Sequence, residues 1–549
     1  MKSVITFSLF IFICLPLQTF ATSDTQDELN GKQAEVDSVF KNWDSYTTPG
    51  CAVDVTVEGR RHFSEAYGMA DLEHQIPNTT STIFEAGSVS KQFTAAAVVV
   101  LKLEGKLSLD DDIREYIPDV PDYGETITIR HLLTHTSGLR DWGSVAAISG
   151  WGRSNRTHSH EHVLDIISRQ QELNFEPGEY YSYSNSGYNL AAILVDSLSE
   201  HSFAEFSDEY IFEPLGMNDT EWRNDYTRIV EGRSSAYTAQ SDSFSINRPI
   251  EHVHGNGGLL TTVSDLNTWN EAMRTGRLAG QEFVELMHKF GVLNNGRTIN
   301  YALGLREGTD NGVPFINHTG ATSGYRAFLG RYPEQELSVA LLCNVTNASP
   351  GNLGSNVAEI FLGDEAKEEE NDEPVGIELT TEQLNQHTGL YKDPRNGDLT
   401  ELIVENDTLQ TENGTKLTPE SENEFRVGTS DRHFIFQTGD HVLITVEGYE
   451  EGELHEVEEF NPGESELKEF TGTYFSEDAE TQIRIEKEED KLILKRRPDN
   501  EFELEAAYTD AFSGNFGKLR FRRDENGEIN KFLYGRGRVY SMPFELVDR

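Results

Sequence analysis

Ser88 and Lys91 are the first residues whose types and spacing could do chemistry. Residues three apart on a helix share a face, so the Lys91 amine would reach the Ser88 hydroxyl. Serine is a weak nucleophile until a neighbouring base takes its proton. An apolar stretch at 92–103 is long enough for a helix, which would place Ser88 at a helix N-terminus where backbone N–H groups stabilise negative charge. The pair predicts a nucleophilic serine, although alone it also fits an N-cap serine beside a solvated lysine.

Tyr183 and Asn185 form a second candidate pair, two residues apart in a segment expected to be extended. Alternate residues of an extended segment project to the same side. A phenol close to a lysine ammonium can have a lowered pKa and carry a proton, and an asparagine amide offers an acceptor and two donors. The alternatives are a half-buried structural tyrosine and a helix N-cap asparagine.

The third candidate segment is His318-Thr-Gly320-Ala321, ahead of a strand pattern at 325–331. A glycine lets the backbone approach a ligand closely, and the N–H of Ala321 could point at an oxyanion. A plain turn and a structural histidine fit these residues as well. The glycine-rich segment 255–265 lacks the spacing of a phosphate cradle, so we interpret it as a structural loop that leads into a helix.

The elements that position these candidates lie between residues 33 and 362. Strand patterns occur near both ends of this region, and helical patterns lie between them, which predicts an α+β fold with one sheet packed by helices. The predicted strands are 51–57, 61–68, 325–331 and 337–345, and the main predicted helices are 92–104 and 188–200.

The last part of the chain repeats. An acidic linker is predicted at 363–379, and short alternating strands with turns follow it. Gly389-Leu-Tyr391 recurs 83 residues later as Gly472-Thr-Tyr474. A repeat of this length suffices for a small β-barrel, so we predict barrels at 380–462 and 463–549, with one larger barrel as the alternative.

Composition limits the partners. The formal net charge is −48, which repels nucleic acid and anionic lipid, so neither is expected as a partner. Residues 1–21 have the charged start, short apolar run and small-residue end of a secretory signal, which predicts export to the periplasm or beyond; a membrane anchor would need a longer apolar run.

The cysteines leave one question open. Only Cys51 and Cys343 would remain after cleavage of the signal. They could form one disulfide or stay as two buried free thiols, and the free thiols fit the sequence at least as well. No spacing of cysteines, histidines or acids indicates a metal site, and no cofactor is predicted.

Together, Ser88-x-x-Lys91, Tyr183-x-Asn185 and His318-x-Gly320, in this order, resemble the penicillin-recognising serine hydrolases, within them the class C β-lactamase-like branch. The resemblance covers about residues 33–362 and implies an antiparallel sheet flanked by helices. The two barrels, expected to be lipocalin-like, make the architecture similar to that of D-aminopeptidases. The resemblance implies that Ser88 is the nucleophile and that Lys91 and Tyr183 share the role of base. It also implies that Asn185, His318 and Gly320 contact the substrate. The N–H groups of Ser88 and Ala321 would form the oxyanion hole.

The resemblance implies an exported acyl-enzyme hydrolase of small molecules or peptides, foremost a D-amino-acid aminopeptidase or amidase. The alternatives are a promiscuous esterase, a β-lactamase or D-alanyl-D-alanine carboxypeptidase, and a non-catalytic binding protein; the oligomeric state stays open. The resemblance implies a lysine at the position of His318 in other members of the group and a histidine in the D-aminopeptidases. A neutral histidine there predicts weak binding of substrates with a free carboxylate. Asp510 is the candidate to hold a substrate ammonium.

Overall fold

The computed structural model describes residues 23–310, 312–366, 376–437 and 441–548. The predicted signal at 1–21 and the centre of the predicted acidic linker lie outside these residues. Among the helices that the structure describes, none has both the length and the apolar character needed to cross a membrane.

The first region contains helices and strands in alternation. Its helices are α1 (Ser23–Phe40), α2 (Ser90–Leu103), α3 (Ile129–Leu133), α4 (Trp142–Ile148), α5 (His160–Ser168), α6 (Asn185–Leu198), α7 (Phe203–Ser207), α8 (Glu213–Leu215), α9 (Val263–Thr275), α10 (Gln281–Met287) and α11 (Pro350–Leu362). Its strands are β1 (Cys51–Val57), β2 (Arg60–Tyr67), β3 (Met69–Asp71), β4 (Ile76–Pro77), β5 (Phe84–Glu85), β6 (Glu221–Trp222), β7 (Tyr237–Ala239), β8 (Phe244–Ile246), β9 (Leu259–Thr261), β10 (Arg306–Asp310), β11 (Val313–Thr322), β12 (Tyr325–Tyr332) and β13 (Leu337–Cys343).

One six-stranded antiparallel sheet organises this region, in the order β10-β11-β12-β13-β1-β2. Successive side chains of a strand point to opposite faces, and β1 follows this rule. Ala52 packs into the large apolar cluster with α2 and α9, whereas Val53 packs into the cluster with α1 and α11. Burial of both sheet faces under helices confirms the predicted α+β fold.

Cys51 and Cys343 are joined by a disulfide. The two residues lie directly opposite each other where β1 pairs with β13. Of the two alternatives that the sequence left open, the disulfide is therefore the one found, because the strand register, which the sequence does not reveal, places the side chains side by side.

Two separate barrels follow. The first contains α12 (Thr381–Leu384) and the strands β14 (Gly389–Lys392), β15 (Leu399–Glu405), β16 (Thr408–Thr411), β17 (Leu417–Pro419), β18 (Glu424–Val427), β19 (Arg432–Phe436), β20 (His441–Val446) and β21 (Tyr449–Val457). The second contains α13 (Glu464–Leu467) and the closed set β22 (Gly472–Ser476), β23 (Thr481–Glu488), β24 (Lys491–Arg496), β25 (Asn500–Tyr508), β26 (Ala511–Gly514), β27 (Gly517–Arg523), β28 (Ile529–Arg536) and β29 (Val539–Asp548). Separate sheets confirm the prediction of two barrels over one.

The second barrel is anchored on the first region by buried polar contacts. Arg140 and Asp478 form an ion pair at 2.6 Å, and both side chains are almost fully buried. The Asn174 amide holds the turn between β28 and β29, donating to the carbonyl of Arg538 at 3.0 Å and accepting from the Tyr540 N–H at 2.8 Å. This turn is thereby fixed against the region that contains Ser88.

Candidate active site

Ser88 lies in a single 3₁₀ turn, Gly87–Val89, immediately before α2. Gly87 has φ of +52°, which favours glycine. A Cβ on Gly87 would lie 2.7 Å from the Ala321 nitrogen, and a Cβ on Gly320 would lie 2.0 Å from the Ala86 oxygen. Because both positions are glycine, this turn packs closely against β11. The close packing brings Ser88 and Ala321 together, as the sequence predicted.

Lys91 lies in the first turn of α2 and is fully buried. Its Nζ is 3.2 Å from Ser88 Oγ, 3.0 Å from Asn185 Oδ1 and 2.6 Å from the Asn256 oxygen. Burial, with the cations of Arg538 and Arg153, holds the pKa of Lys91 well below its usual value. This shift favours the neutral form of an amine that lies within hydrogen-bond distance of the serine hydroxyl.

The Tyr183 ring lies 4.8 Å from Lys91 Nζ. Burial raises the pKa of Tyr183, while the neighbouring Ser88 hydroxyl and the Arg538 cation oppose that shift. The expected lowering by a lysine ammonium is not found, because desolvation outweighs the charges and Lys91 itself tends to be neutral. Tyr183 is thus a protonated phenol at neutral pH.

Asn185 is the first residue of α6, and Ser184 occupies the cap position. The Asn185 N–H donates to Asp141 Oδ2 at 2.8 Å, and its side-chain oxygen accepts from Lys91. The side chain therefore does not cap the helix, and it is oriented toward Ser88 and the lysine.

His318 is buried beside the cleft on β11. Nδ1 lies 2.6 Å from the Thr319 carbonyl oxygen, to which it donates, and Nε2 accepts from the Tyr301 hydroxyl at 3.1 Å. Burial, chiefly, lowers the pKa of His318 to about 3. His318 is therefore a neutral imidazole at pH 7, as the sequence argument assumed.

These residues surround one cleft of about 590 Å³. Of the predicted site residues, all but Lys91 and Asp510 line it, and Lys91 contacts Ser88 from within the protein. The complete lining is Gly87, Ser88, Arg153, Tyr183, Asn185, Asn256, Gly257, Arg306, His318, Thr319, Gly320, Ala321, Thr322, Pro350 and Arg538. The geometry suits nucleophilic attack on a carbonyl carbon in the cleft.

The family model described as Beta-lactamase matches residues 36–359, more than half of the chain. The chain belongs to the β-lactamase family. Penicillin-binding protein 4* of Bacillus subtilis is 29% identical over 302 residues, 51% of this chain and 65% of that protein. A D-aminopeptidase of Cereibacter sphaeroides is 28% identical over 324 residues, 58% of this chain and 61% of that protein. The chain spans less than two thirds of the length of either curated relative.

Solved structures share the fold. A penicillin-binding protein homologue from Pyrococcus abyssi, described as octameric, superposes with a TM-score of 0.54 at 24% identity, covering 78% of this chain and 99% of that one. A D-amino acid amidase from Ochrobactrum anthropi superposes with a TM-score of 0.51 at 22% identity, and the match covers 62% of this chain and 99% of that one. At less than 25% identity, these superpositions show a shared fold.

Among the cleft residues that sequence reasoning missed, four supply a cation or a contact to Lys91. Asn256 lies in the glycine-rich loop interpreted as structural, yet its carbonyl accepts from Lys91. Arg153, Arg306 and Arg538 supply cations, and Arg538 arrives from the second barrel. No motif marks them, because they meet only in the folded chain. Conversely, Asp510 is not among the lining residues and forms a bidentate pair with Arg523.

The described residues also contain two clusters that could hold a metal ion, both on the first barrel and away from the cleft. One comprises His441, Glu453 and His455, and the other comprises Glu420, Glu424 and His433. Cross-strand pairing assembles the first, with His441 opposite His455. Exposed groups of this kind are common without a metal, so these clusters leave the expectation of no metal site untested.

Proposed function

We propose that this β-lactamase-family chain cleaves amide or peptide bonds through an acyl-enzyme formed on Ser88. The observation that carries the proposal is the buried Lys91 amine, 3.2 Å from Ser88 Oγ, with its pKa held well below the usual value. A neutral amine can take the hydroxyl proton, and this is the activation that serine requires.

In the first step Ser88 Oγ bonds to the substrate carbonyl carbon while its proton passes to Lys91. The N–H groups of Ser88 and Ala321 face the developing oxyanion in this proposal, the kind of stabilisation that usually contributes most to acyl transfer. The leaving amine departs with a proton supplied through Lys91 and the protonated Tyr183 phenol. Water then attacks the ester carbonyl carbon and passes a proton to Lys91. The bond to Ser88 Oγ breaks, Oγ takes up that proton, and the carboxylic acid product leaves. Asn185 holds the substrate amide in this proposal.

The charge of the cleft favours an amidase or peptidase over an aminopeptidase. Three arginines and no Asp or Glu are among the lining residues, so a substrate's free ammonium would find no counter-charge there. The D-aminopeptidase relative nonetheless supports a bond adjacent to a D-residue as the first to test.

We also propose that the protein is exported. The signal-like residues 1–21 support this, and so does the Cys51–Cys343 disulfide, since such bonds persist in oxidising compartments.

The first experiment tests the nucleophile. Wild-type protein, Ser88→Ala and the matched surface control Ser168→Ala are incubated with an uncharged alkyl fluorophosphonate and weighed intact. We expect one adduct on wild type and on Ser168→Ala and none on Ser88→Ala. An unlabelled wild type, or a labelled Ser88→Ala, would overturn the proposal.

The second experiment tests the bond. N-acetylated L- and D-residue p-nitroanilides, their free-amine forms, a p-nitrophenyl ester and nitrocefin are compared as substrates. We expect turnover of N-acyl anilides to exceed that of free amines. Turnover of nitrocefin or the ester alone would instead support the β-lactamase or esterase alternative.

A further inference from the structure

A second cavity, of about 470 Å³, lies between the two barrels. Among the described residues it shares no lining residue with the active-site cleft. The first barrel contributes Phe434, Ile444 and Leu454, which belong to the apolar core of that barrel. The second barrel contributes Tyr508 and Arg520. A cavity of this size, with apolar walls and a few polar groups, is typical of small-molecule sites.

Arg520, on β27, is a buried cation at the wall of this cavity, with 4% of its surface exposed. Its guanidinium donates to the carbonyls of Pro394 and Arg395, in the loop between β14 and β15, at 2.9 and 3.2 Å. It also donates to Ser541 Oγ at 2.6 Å, whereas its Nε contacts no acceptor in the described part of the chain. These partners are all neutral, and no carboxylate of the described residues forms an ion pair with Arg520. The charge of Arg520 is therefore desolvated without an anion to balance it.

Two further cations lie near Arg520. Lys392 Nζ lies 4.9 Å from the centre of the Tyr508 ring. Burial, followed by the charges of Arg522 and Arg520, lowers the pKa of Lys392. Within the described ranges neither Lys392 nor Arg522 forms an ion pair with a carboxylate. Acidic residues outnumber basic ones by 94 to 46 in this chain, so these unpaired cations do not result from a shortage of acids.

The two acids that line the cavity already have cationic partners. Asp393 accepts from Arg395 Nε with both carboxylate oxygens, at 3.0 and 3.1 Å, and Asp398 pairs with Lys518. Three bases and two acids line the cavity. The lining therefore keeps a net positive charge, and the buried cation among these bases is Arg520.

Tyr508, on β25, supplies a hydrogen-bond donor. Its side chain is 6% exposed and lines the cavity, and its hydroxyl has no hydrogen-bond partner among the residues that the structure describes. Burial raises the pKa of Tyr508, so the phenol keeps its proton at neutral pH. A buried hydroxyl nearly always has a partner, and an acceptor on a ligand in the cavity would provide one.

We propose that the cavity between the barrels binds a small organic acid. Its carboxylate lies near Arg520 and accepts from the Tyr508 hydroxyl, and its apolar body contacts the core side chains of the first barrel. A charged acceptor strengthens such a hydrogen bond, and burial of the apolar body supplies the remaining affinity. This site is separate from the acyl-enzyme chemistry, so the proposal does not depend on the proposed function.

Isothermal titration calorimetry of the full chain tests the ligand class. The probes are octanoate and 4-phenylbutyrate, each compared with its neutral amide. We expect one or both carboxylates to bind at one site per chain, at least about ten-fold more tightly than the matching amide. Absence of carboxylate binding at millimolar concentration, or equal binding of acid and amide, would overturn the proposal.

Variants test the place of binding. Tyr508→Phe and Arg520→Gln should each weaken carboxylate binding by about ten-fold. Ala507→Phe fills the cavity from β25 without removing a polar group, and it should abolish binding. The matched control is Ala506→Phe, at an exposed neighbour outside the lining, and it should bind like wild type.

Arg306→Gln controls for binding in the cationic active-site cleft, which Arg306 lines. We expect this variant to bind the carboxylates like wild type. Loss of binding in Arg306→Gln, or unchanged binding in Ala507→Phe, would place the ligand elsewhere and overturn the proposal. Because Ala507→Phe and Tyr508→Phe leave the contacts of Arg520 with the first barrel in place, the result does not rest on the folding of Arg520→Gln alone.

Discussion

At the scale of single residues, two buried groups beside Ser88 have pKa values shifted in opposite directions. Desolvation favours the neutral form of each, which lowers the pKa of Lys91 and raises that of Tyr183. Burial therefore makes the amine the better candidate to accept a proton, and it keeps the phenol protonated and able to donate one. Environment thus assigns to Lys91 and Tyr183 separate roles that the sequence could only describe as shared.

Removal of Lys91 should accordingly cost more than removal of the phenol. We expect Lys91→Met to slow acylation by about 10²–10⁴-fold, the usual contribution of a general base, and Tyr183→Phe to slow it less. Fluorophosphonate labelling rates measure both, with circular dichroism as the folding control. A larger loss in Tyr183→Phe would reverse the assignment.

The pH profile provides an independent test. Arg538 is a cation that lowers the pKa of Lys91, so its removal raises that pKa. Because the deprotonated amine is the active form, the acid limb of kcat/KM should move to higher pH in Arg538→Gln. The measurement uses a neutral p-nitrophenyl ester. An acid limb that stays in place, or moves to lower pH, would show that Lys91 does not govern it.

At the scale of elements, the site depends on the contact between the Gly87–Val89 turn and β11. Gly320→Ala would place a Cβ 2.0 Å from the Ala86 oxygen, a backbone atom that cannot move alone. We expect this variant to separate Ser88 from Ala321, to abolish labelling and to lower stability by about 1–3 kcal/mol.

The matched control is Gly308→Ala in neighbouring β10, where a Cβ would meet only the Phe315 ring at 3.5 Å, an ordinary contact. That variant should be labelled like wild type. If Gly320→Ala were also labelled at the wild-type rate, close packing at this contact would not be needed for the chemistry.

Local patterns predicted much of the element structure. β1 begins and ends at the predicted residues, and α2 and α6 agree with prediction within a few residues, because apolar periodicity determines such segments. The Ser88, Tyr183 and His318 motifs also come together. Arg538 could not be foreseen, since it reaches the cleft only through the docking of a barrel hundreds of residues away from Ser88.

At the scale of the whole molecule, the second barrel forms part of the active-site wall. Its docking buries Arg140 and Asp478 against each other, with both side chains almost inaccessible to water. Loss of one partner from such a pair leaves a charge that is neither solvated nor paired. The position of Arg538 therefore depends on an ion pair whose residues are not among those that line the cleft.

Asp478→Ala should lower the free energy of unfolding by about 3–5 kcal/mol, because it leaves the Arg140 cation buried and unpaired. The double variant Arg140→Met with Asp478→Leu should recover most of this loss, since neither charge then needs solvent. Denaturant unfolding of both proteins measures the difference. Equal stability of the single and double variants would show that the pair does not hold the barrel in place.

Acid should destabilise the protein as a whole. Burial lowers the pKa of His254 and of His318 to about 3, and it holds that of His135 well below its usual value. Between about pH 6.5 and pH 3 these side chains bind protons in the unfolded chain but not in the folded chain. The free energy of unfolding that they contribute is therefore fully present above about pH 6.5 and decreases as the pH falls through this window. Unfolding midpoints at pH 7.5, 6.0 and 5.0 should follow that decline, and His254→Gln should make it shallower while exposed His62→Gln should not. A His254→Gln protein with the same pH dependence as wild type would mean that His254 does not resist protonation in the folded state.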